Sequence, residues 1–273
     1  MIIKTAADAK NEQSYHKALN ELLLQLADDD FILSYRGSEW LGLAPHIEED
    51  VAFSSISQDL MGHAVLYYQL LSELGAGSID ALAHERPPEE RRNAILLELV
   101  NGSGTYLEEP RFDWAFTVVR HYFYDMYKKI KLESLIHSSY QPLSHAAVKI
   151  KMEQHYHLMH WGIWFKQLTM SGGEARSRMT AAVSRVWNEL EGLLTLGPLE
   201  GQMVQYGLIE SCSILKKRFS QQAAKSLEEV QLAHGNSYGM ISGNGREGEH
   251  TADMVKALVT LSEVYRMDEK AVW

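Results

Sequence analysis

The stretch YHKALNELLLQLADDDFILSYR, residues 15–36, carries apolar side chains at helical spacing along most of its length. These side chains recur three or four positions apart, which is the pattern of one buried helix face. The stripe is formed by Leu19, Leu22, Leu23, Leu26, Ile32 and Leu33. The stretch therefore predicts a long amphipathic helix.

Helical spacing continues through most of the 273 residues, and no segment of useful length alternates with the period of a strand. Three further long helices are predicted at about 46–74, 112–138 and 142–170, and shorter ones near 175–195, 201–219, 221–233 and 251–267. Glycine pairs end two of the long helices, at residues 75 and 77 and at residues 172 and 173. No strands are expected.

The fold class predicted is all-α, a ferritin-like four-helix bundle with additional C-terminal helices. One long crossover between the second and third helices distinguishes such bundles from simple up-and-down ones. We expect a single domain over residues 1–273, with a mobile insertion at about 76–110 and a C-terminal helical extension at about 174–273.

Composition excludes several functional classes. The formal net charge of −10 disfavours nucleic acid as a partner, and the basic runs KKIK (128–131) and KKR (216–218) are interpreted as solvated helix faces. The single cysteine, Cys212, allows no intrachain disulfide and favours a cytoplasmic location. The stretch MIIKTAADAKNEQ lacks the pattern of a secretory signal, and no apolar run is long enough to span a membrane.

Di-iron bundles of the ferritin-like class take one carboxylate from each of two helices and a Glu-x-x-His pair from each of the other two. His63 and His157 occupy the two histidine positions on the second and fourth helices. Leu60 and Gln154 stand where the glutamates would be, and Asp30 and Asp125 are the carboxylates of the first and third helices. Both bridging glutamates are therefore missing, and two iron ions would lack the anions that hold them together.

Two interpretations of these positions remain open. Asp30, His63, Asp125 and His157 could bind a single divalent metal ion, or the histidines could be buried without metal and bonded to acids across the bundle. Asp59 and Glu153 precede the two histidines by four residues, a spacing at which an acid can orient a metal-binding histidine. No catalytic residue is predicted in this chain.

Other conspicuous residues receive structural interpretations. We expect His155 and His160 to lie at the surface or an interface, and Cys212 to lie in the core. The aromatic clusters YFYDMY and HWGIWF are assigned to core or subunit interface. The stretch SGNGREGEH is predicted to be a flexible surface loop, which a partner could order. Asp113 and Glu108 are taken as ordinary solvated charges.

The motifs RGSEWLGLAP, DLMGH, YFYDMYKK, EQHYHLMHWGIWFKQL and GREGEHTADMVKALVTLSEVYRM resemble the C-subunit family of bacterial phenylacetyl-CoA epoxidases over about residues 20–270. This resemblance implies a role in a multicomponent ring oxygenase of phenylacetate degradation. Its A subunit holds the di-iron centre and epoxidises the ring of phenylacetyl-CoA. The C subunit looks like a diverged copy that has lost its iron ligands, as Leu60 and Gln154 suggest, and it serves as a structural partner.

The resemblance also implies a separate reductase that takes electrons from NADPH through flavin and an iron–sulfur cluster. This chain would then contain no cofactor, and its partners would be the A subunit and other subunits of the complex, with a homodimer in isolation. The alternative function is an independent ferritin-like metal-dependent oxidase or oxygenase with a His/Asp site. Leu60 and Gln154 argue against this alternative.

Overall fold

The structure, a computed structural model, describes residues 2–105, 108–233, 235 and 237–269. Within these residues the chain forms helices almost throughout and one short hairpin, so the predicted all-α, ferritin-like fold is confirmed. The helices are α1 (Ala6–Lys10), α2 (Gln13–Ser38), α3 (Ile47–Glu73), α4 (Ile95–Glu98), α5 (Trp114–Leu135), α6 (Gln141–Met170), α7 (Gly173–Trp187), α8 (Leu190–Leu194), α9 (Glu200–Gln205), α10 (Cys212–Glu229), α11 (Ala252–Leu261) and α12 (Glu263–Met267).

Four of these helices, α2, α3, α5 and α6, form the bundle. Helix α2 packs along α3, and α5 packs along α6. Contacts between α3 and α6 join Glu49 to His160 at one end and His63 to Glu153 towards the other, so these two helices are antiparallel. The chain passes from α3 to α5 through the predicted long crossover.

Helix α2 is buried around its whole circumference in its middle section, because all ten residues at 25–34 are buried. One side faces the bundle helices, while α4, α9 and α11 cover other sides. The three aspartates at 28–30 consequently point in three different directions and none of them reaches solvent. When a helix is buried on all sides, the segments around it must supply a hydrogen-bond or charge partner for every polar side chain that it carries.

The crossover differs from the mobile insertion that the sequence predicted at about 76–110. It packs against the bundle through Ala94, Ile95, Leu96 and Leu97, which are at most 1% exposed. A turn of π-helix (Ala81–Glu85) and a turn of 3-10 helix (Pro88–Glu90) precede α4. The apolar residues of this segment form α4, and their burial follows from tertiary contacts that one sequence does not display.

A two-stranded hairpin, β1 (Gly102–Thr105) and β2 (Glu108–Phe112), corrects the prediction that strands are absent. The strands are antiparallel and pair Gly102 with Phe112. A Cβ atom at Gly102 would lie 2.3 Å from the carbonyl oxygen of Arg111, so this pairing requires glycine. Strands this short leave no usable alternation of polar and apolar residues in the sequence. Residues 106 and 107, which also fall within the predicted insertion, lie outside the described residues.

The C-terminal extension packs onto the bundle, with α7 against α5 and α6 and α10 against α5. Helix α10 runs unbroken across residue 220, where the sequence predicted one helix ending and another beginning. The stretch SGNGREGEH was predicted to be a flexible surface loop, but Arg246 within it is 2% exposed. Parts of the predicted glycine-rich loop, residues 234 and 236, and the C-terminal residues 270–273 lie outside the described residues. None of the helices in the described ranges combines the length and apolar character needed to cross a bilayer.

Candidate functional site

The bundle encloses all six positions of the di-iron pattern. They lie on α2, α3, α5 and α6, and each is at most 2% exposed, as seen for Asp30, Leu60, His63, Asp125, Gln154 and His157. The histidine rings of His63 and His157 have centroids 6.1 Å apart. The sequence pattern therefore located the centre of the bundle.

A lysine that the sequence analysis did not single out lies within this centre. The ammonium of Lys128, on α5, donates to Oδ1 of Asp30 at 2.6 Å and to Nδ1 of His63 at 2.9 Å. The phenol of Tyr124 donates to the same Asp30 oxygen at 2.5 Å. Burial raises the pKa of Asp30, and the ammonium and the phenol oppose that rise. Asp30 is thus paired with a cation that belongs to the chain itself.

The lysine also fixes the tautomer of His63. An ammonium can only donate hydrogen bonds, so Nδ1 of His63 accepts and Nε2–H donates to Oε2 of Glu153 at 2.7 Å. Burial lowers the pKa of His63, and the charge of Lys128 lowers it further, which keeps the ring neutral. The result is a hydrogen-bonded chain from Asp30 through Lys128 and His63 to Glu153, whose side chain is 41% exposed.

The second histidine makes an analogous contact on its own side. Nε2 of His157 lies 2.9 Å from Oδ2 of Asp59, and burial lowers the pKa of His157 to about 4. The sequence had associated each acid with the histidine four residues further along the same helix. In the structure the pairs are crossed, with Glu153 on α6 bonded to His63 on α3, and Asp59 on α3 bonded to His157 on α6.

The other half of the centre is less completely bonded. The amide of Gln154 donates to the backbone carbonyl of Asp125 at 3.3 Å. Three buried acceptors, Asp125 Oδ2, Gln154 Oε1 and His157 Nδ1, have no hydrogen-bond partner within the described residues. Burial raises the pKa of Asp125 to about 7. This carboxyl group therefore holds its proton far more strongly than an ordinary aspartate.

These contacts do not fit a di-iron centre. Lys128 already engages Asp30 and His63, Leu60 has no ligand atom, and Gln154 brings no negative charge. Among the described residues, no three histidine, cysteine, aspartate or glutamate side chains are grouped as a metal site requires. The structure likewise does not bring Asp30, His63, Asp125 and His157 together as one set of ligands.

The interpretation of KKIK as a solvated helix face is wrong for two of its three lysines. Lys128 and Lys131 are each 3% exposed, and Lys131 donates to Oδ2 of Asp29 at 3.2 Å. A signal was present in the sequence, because Lys128 follows Asp125 by three residues and therefore faces the same side of α5. The run of apolar neighbours around the lysines was a second indication.

The other two aspartates of α2 are also bound by cations. The guanidinium of Arg246 donates one hydrogen bond of 2.9 Å to each carboxylate oxygen of Asp29. Nη1 of Arg86 donates to Oδ2 of Asp28 at 3.0 Å. Burial alone would raise the pKa of both carboxyl groups, but the neighbouring positive charges bring each below its ordinary value. All three acids of the DDD run are therefore neutralised inside the protein.

The other residues singled out in the sequence lie away from the centre of the bundle or take part in ordinary structural contacts. His155 is exposed, and His160 is half-buried with Nε2 2.9 Å from Oε1 of Glu49. Cys212 is half-buried, and burial raises the pKa of its thiol to about 12, so no nucleophilic thiolate forms at neutral pH. Asp113 is not merely a solvated charge, since it caps the first turn of α5. Glu108, the first residue of β2, is exposed as expected.

The aromatic clusters contribute mainly to the core. Phe123, Tyr124 and Tyr127 on α5 and Trp161 on α6 are at most 1% exposed. The ring of Trp161 packs edge-on against Phe53 at a centroid distance of 4.9 Å. These rings fill the bundle interior, as the core interpretation of the sequence expected.

The fold and the centre together define a ferritin-like helical protein in which a buried lysine bonds Asp30 and His63, two positions of the di-iron pattern. The family model described as Phenylacetic acid catabolic protein matches residues 2–273, so the chain belongs to that family. It is also similar to the C subunit of 1,2-phenylacetyl-CoA epoxidase from Escherichia coli (strain K12), with 25% identity over 256 residues that cover 93% of this chain and 99% of that protein. The resemblance indicated by the sequence motifs is confirmed.

Proposed function

We propose that this chain is a structural, noncatalytic subunit of a phenylacetyl-CoA 1,2-epoxidase-type multicomponent monooxygenase of aerobic phenylacetate catabolism. It would support a catalytic A-type subunit that carries the di-iron centre. The observation that carries the proposal is the ammonium of Lys128, held between Asp30 and His63 at the centre of the bundle. The similarity to the C subunit of the Escherichia coli epoxidase supports the same role.

Electrostatics explains why this centre suits a structural subunit. Two iron ions require bridging anions, and Leu60 and Gln154 supply none. A divalent ion placed among these groups would also meet the positive charge of Lys128 in a buried environment, where repulsion between like charges is strong. The chain would therefore need no cofactor. The iron would reside in the A-type subunit, and NADPH, flavin and an iron–sulfur cluster in the reductase.

A protein without a reaction of its own can still act by binding. Association with the folded form of a partner stabilises that form by mass action. In this proposal the chain docks against the A-type subunit in the cytoplasm and keeps the catalytic bundle folded. Neither nucleic acid nor membrane takes part.

The first test is the metal content of the chain purified alone after growth with ample iron, with a di-iron protein purified in parallel as a positive control. We expect much less than one equivalent of iron and no optical bands of a di-iron centre. About two irons per chain would contradict the proposal. It would support the independent oxidase or oxygenase, which is favoured by one observation, the unpaired acceptors of Asp125, Gln154 and His157.

The second test is association with the A-type subunit. The two chains are co-expressed with a purification tag on the A-type subunit alone, and the complex is then analysed by size-exclusion chromatography. We expect the two chains to elute together at a fixed ratio. Two well-folded chains that elute separately would overturn the proposed role.

A further inference from the structure

Helix α6 has a second apolar stripe on the side that faces away from the bundle. Its buried stripe includes Leu143, Ile150 and Trp161, whereas the outward residues recur at the same helical spacing. These outward residues, the outer face of α6, are Val148, Met152, Tyr156, Met159, Ile163 and Met170, and each is between 51% and 71% exposed. A helix that is apolar on both sides is typical of one buried on both sides.

The charges beside this stripe are mostly positive, although the whole chain carries a net charge of −10. Lys149, Lys151 and Lys166 lie on α6 among the outward residues, and none is within ion-pair distance of an acid in the described part of the chain. Glu153 is the acid on this side of α6, and its carboxylate already accepts from His63. Unpaired lysines beside apolar surface call for acidic groups on whatever covers it.

A groove of about 530 Å³ continues the outer face towards α5 and α10. Its floor is largely apolar, with contributions from Tyr122, Met126, Leu158, Met159 and Ile163. Lys166 and Lys225 contribute positive charge to its lining and Glu229 contributes negative charge, while Lys129 also lines the groove but is paired with Glu133. The groove is large enough to receive apolar side chains of another protein.

The same charges argue against a second copy of this chain as the occupant. In a two-fold dimer the same patch of both subunits meets across the axis. Here that arrangement would bring the lysines of one outer face towards those of the other, and like charges at an interface disfavour association. A different protein with an acidic border is the better match.

We propose that the outer face of α6 and its groove dock an apolar, acid-bordered helix of the catalytic A-type subunit. This inference rests on the proposed function and adds to it the surface that makes the contact. The apolar side chains provide the buried area, and the lysines set the orientation and speed the encounter. The outer face lies on α6, which also carries the buried residues Gln154 and His157. Helix α6 would therefore separate the docked partner from the centre that contains Lys128.

The test measures binding of wild type and variants to immobilised A-type subunit. Met152→Glu with Ile163→Glu places two charges in the apolar stripe, and we expect affinity to fall by at least about 100-fold. The matched control is Val255→Glu with Val259→Glu, which alters two valines, 50% and 57% exposed, on the unrelated helix α11. We expect the control to stay within about 3-fold of wild type. Circular dichroism of each variant verifies that it is folded.

A charge-reversal variant, Lys149→Glu with Lys166→Glu, tests the electrostatic part without touching the apolar stripe. We expect this variant to associate with the A-type subunit more slowly than wild type does. Raised salt should lower the association rate of wild type but not that of the variant. If wild type does not bind the A-type subunit, the proposed function itself fails. If wild type binds and the Met152/Ile163 variant binds equally well, only the docking surface is wrong. A homodimer that this variant dissociates, with binding to the A-type subunit intact, would also overturn the inference.

Discussion

At the scale of single residues, the environment of Lys128 decides how the centre is interpreted. A buried ammonium is stable when its N–H donors find acceptors. Lys128 donates to Asp30 and His63, and its Nζ lies 5.8 Å from the centroid of the Tyr124 ring. Single-sequence reasoning found the histidines because the ligand pattern has fixed spacing. It missed the lysine because a lysine is far more often exposed, and only the neighbouring helices show that this one is not.

We predict that Lys128→Met lowers the free energy of unfolding by about 3–5 kcal/mol, because Asp30 would remain buried without its cation. Chemical denaturation at pH 7 measures this loss. The neighbouring Lys129 is a matched control, since it is about one-third exposed and pairs with Glu133. Lys129→Met should cost less than about 1 kcal/mol. Equal losses from the two changes would show that the buried pair is not what holds Asp30.

A second prediction concerns Asp125, whose pKa is raised by burial to about 7 in the folded protein. The unfolded chain releases this proton near pH 4, so stability from Asp125 is complete below pH 4 and is lost as pH rises towards 7. The loss is on the order of 4 kcal/mol. Asp125→Asn cannot ionise and should be more stable than wild type at pH 8, by an amount that shrinks as pH falls.

The measurement is denaturant unfolding of both proteins at pH 5 and pH 8. Comparing the two proteins cancels the opposite contribution of His157, whose lowered pKa reduces stability as the pH falls from 6.5 towards 4. A difference between the two proteins that stays the same at both pH values would contradict the raised pKa.

At the scale of secondary structure, the long helices were predicted to within a few residues, because apolar periodicity and terminal glycines define them locally. The hairpin, the packed crossover and the continuity of α10 depend on contacts between distant segments, which periodicity does not record. The partners of α2 were equally hidden. Asp28 and Asp29 look like surface acids until Arg86 and Arg246 are brought to them by the fold.

The start of α5 provides an element-scale prediction. The Asp113 carboxylate accepts hydrogen bonds from the backbone N–H groups of Ala115 at 3.0 Å and Phe116 at 3.3 Å. Asp113→Ala removes this cap and should lower the free energy of unfolding by about 1 kcal/mol. Asp113→Asn retains an acceptor and should cost much less. A loss that is the same for both substitutions would rule out capping as the cause.

At the scale of the whole molecule, the three central aspartates join segments that are far apart in sequence. Asp28 binds Arg86 of the crossover, Asp29 binds Arg246 of the C-terminal loop, and Asp30 binds Lys128 of α5. The bundle and the extension therefore share one polar interior. We therefore expect the chain to unfold as a single domain, because Asp29 of the bundle and Arg246 of the extension are buried partners of each other.

We predict coincident unfolding transitions by far-UV circular dichroism and tryptophan fluorescence, as a two-state process requires. Arg246→Gln should lower stability by about 3–5 kcal/mol, since Asp29 would lose its bidentate partner. Arg178→Gln, which breaks an exposed pair with Glu174 on α7, is the control and should cost less than about 0.5 kcal/mol. Two separated transitions in the wild type would show that the extension folds independently.

Under the proposed function, the lysine at the centre also has a consequence for how this protein would respond to nutrient supply. A charge supplied by a bound metal is subject to mass action, so a metal-dependent fold weakens when the free ion becomes scarce. The ammonium of Lys128 is covalently part of the chain, and its concentration at Asp30 and His63 does not change with growth conditions. A chelator cannot remove it, and a shift in redox state cannot alter its charge. Under the proposed function, the chain would therefore fold fully in an iron-starved cell and be ready before its metal-bearing partner is loaded.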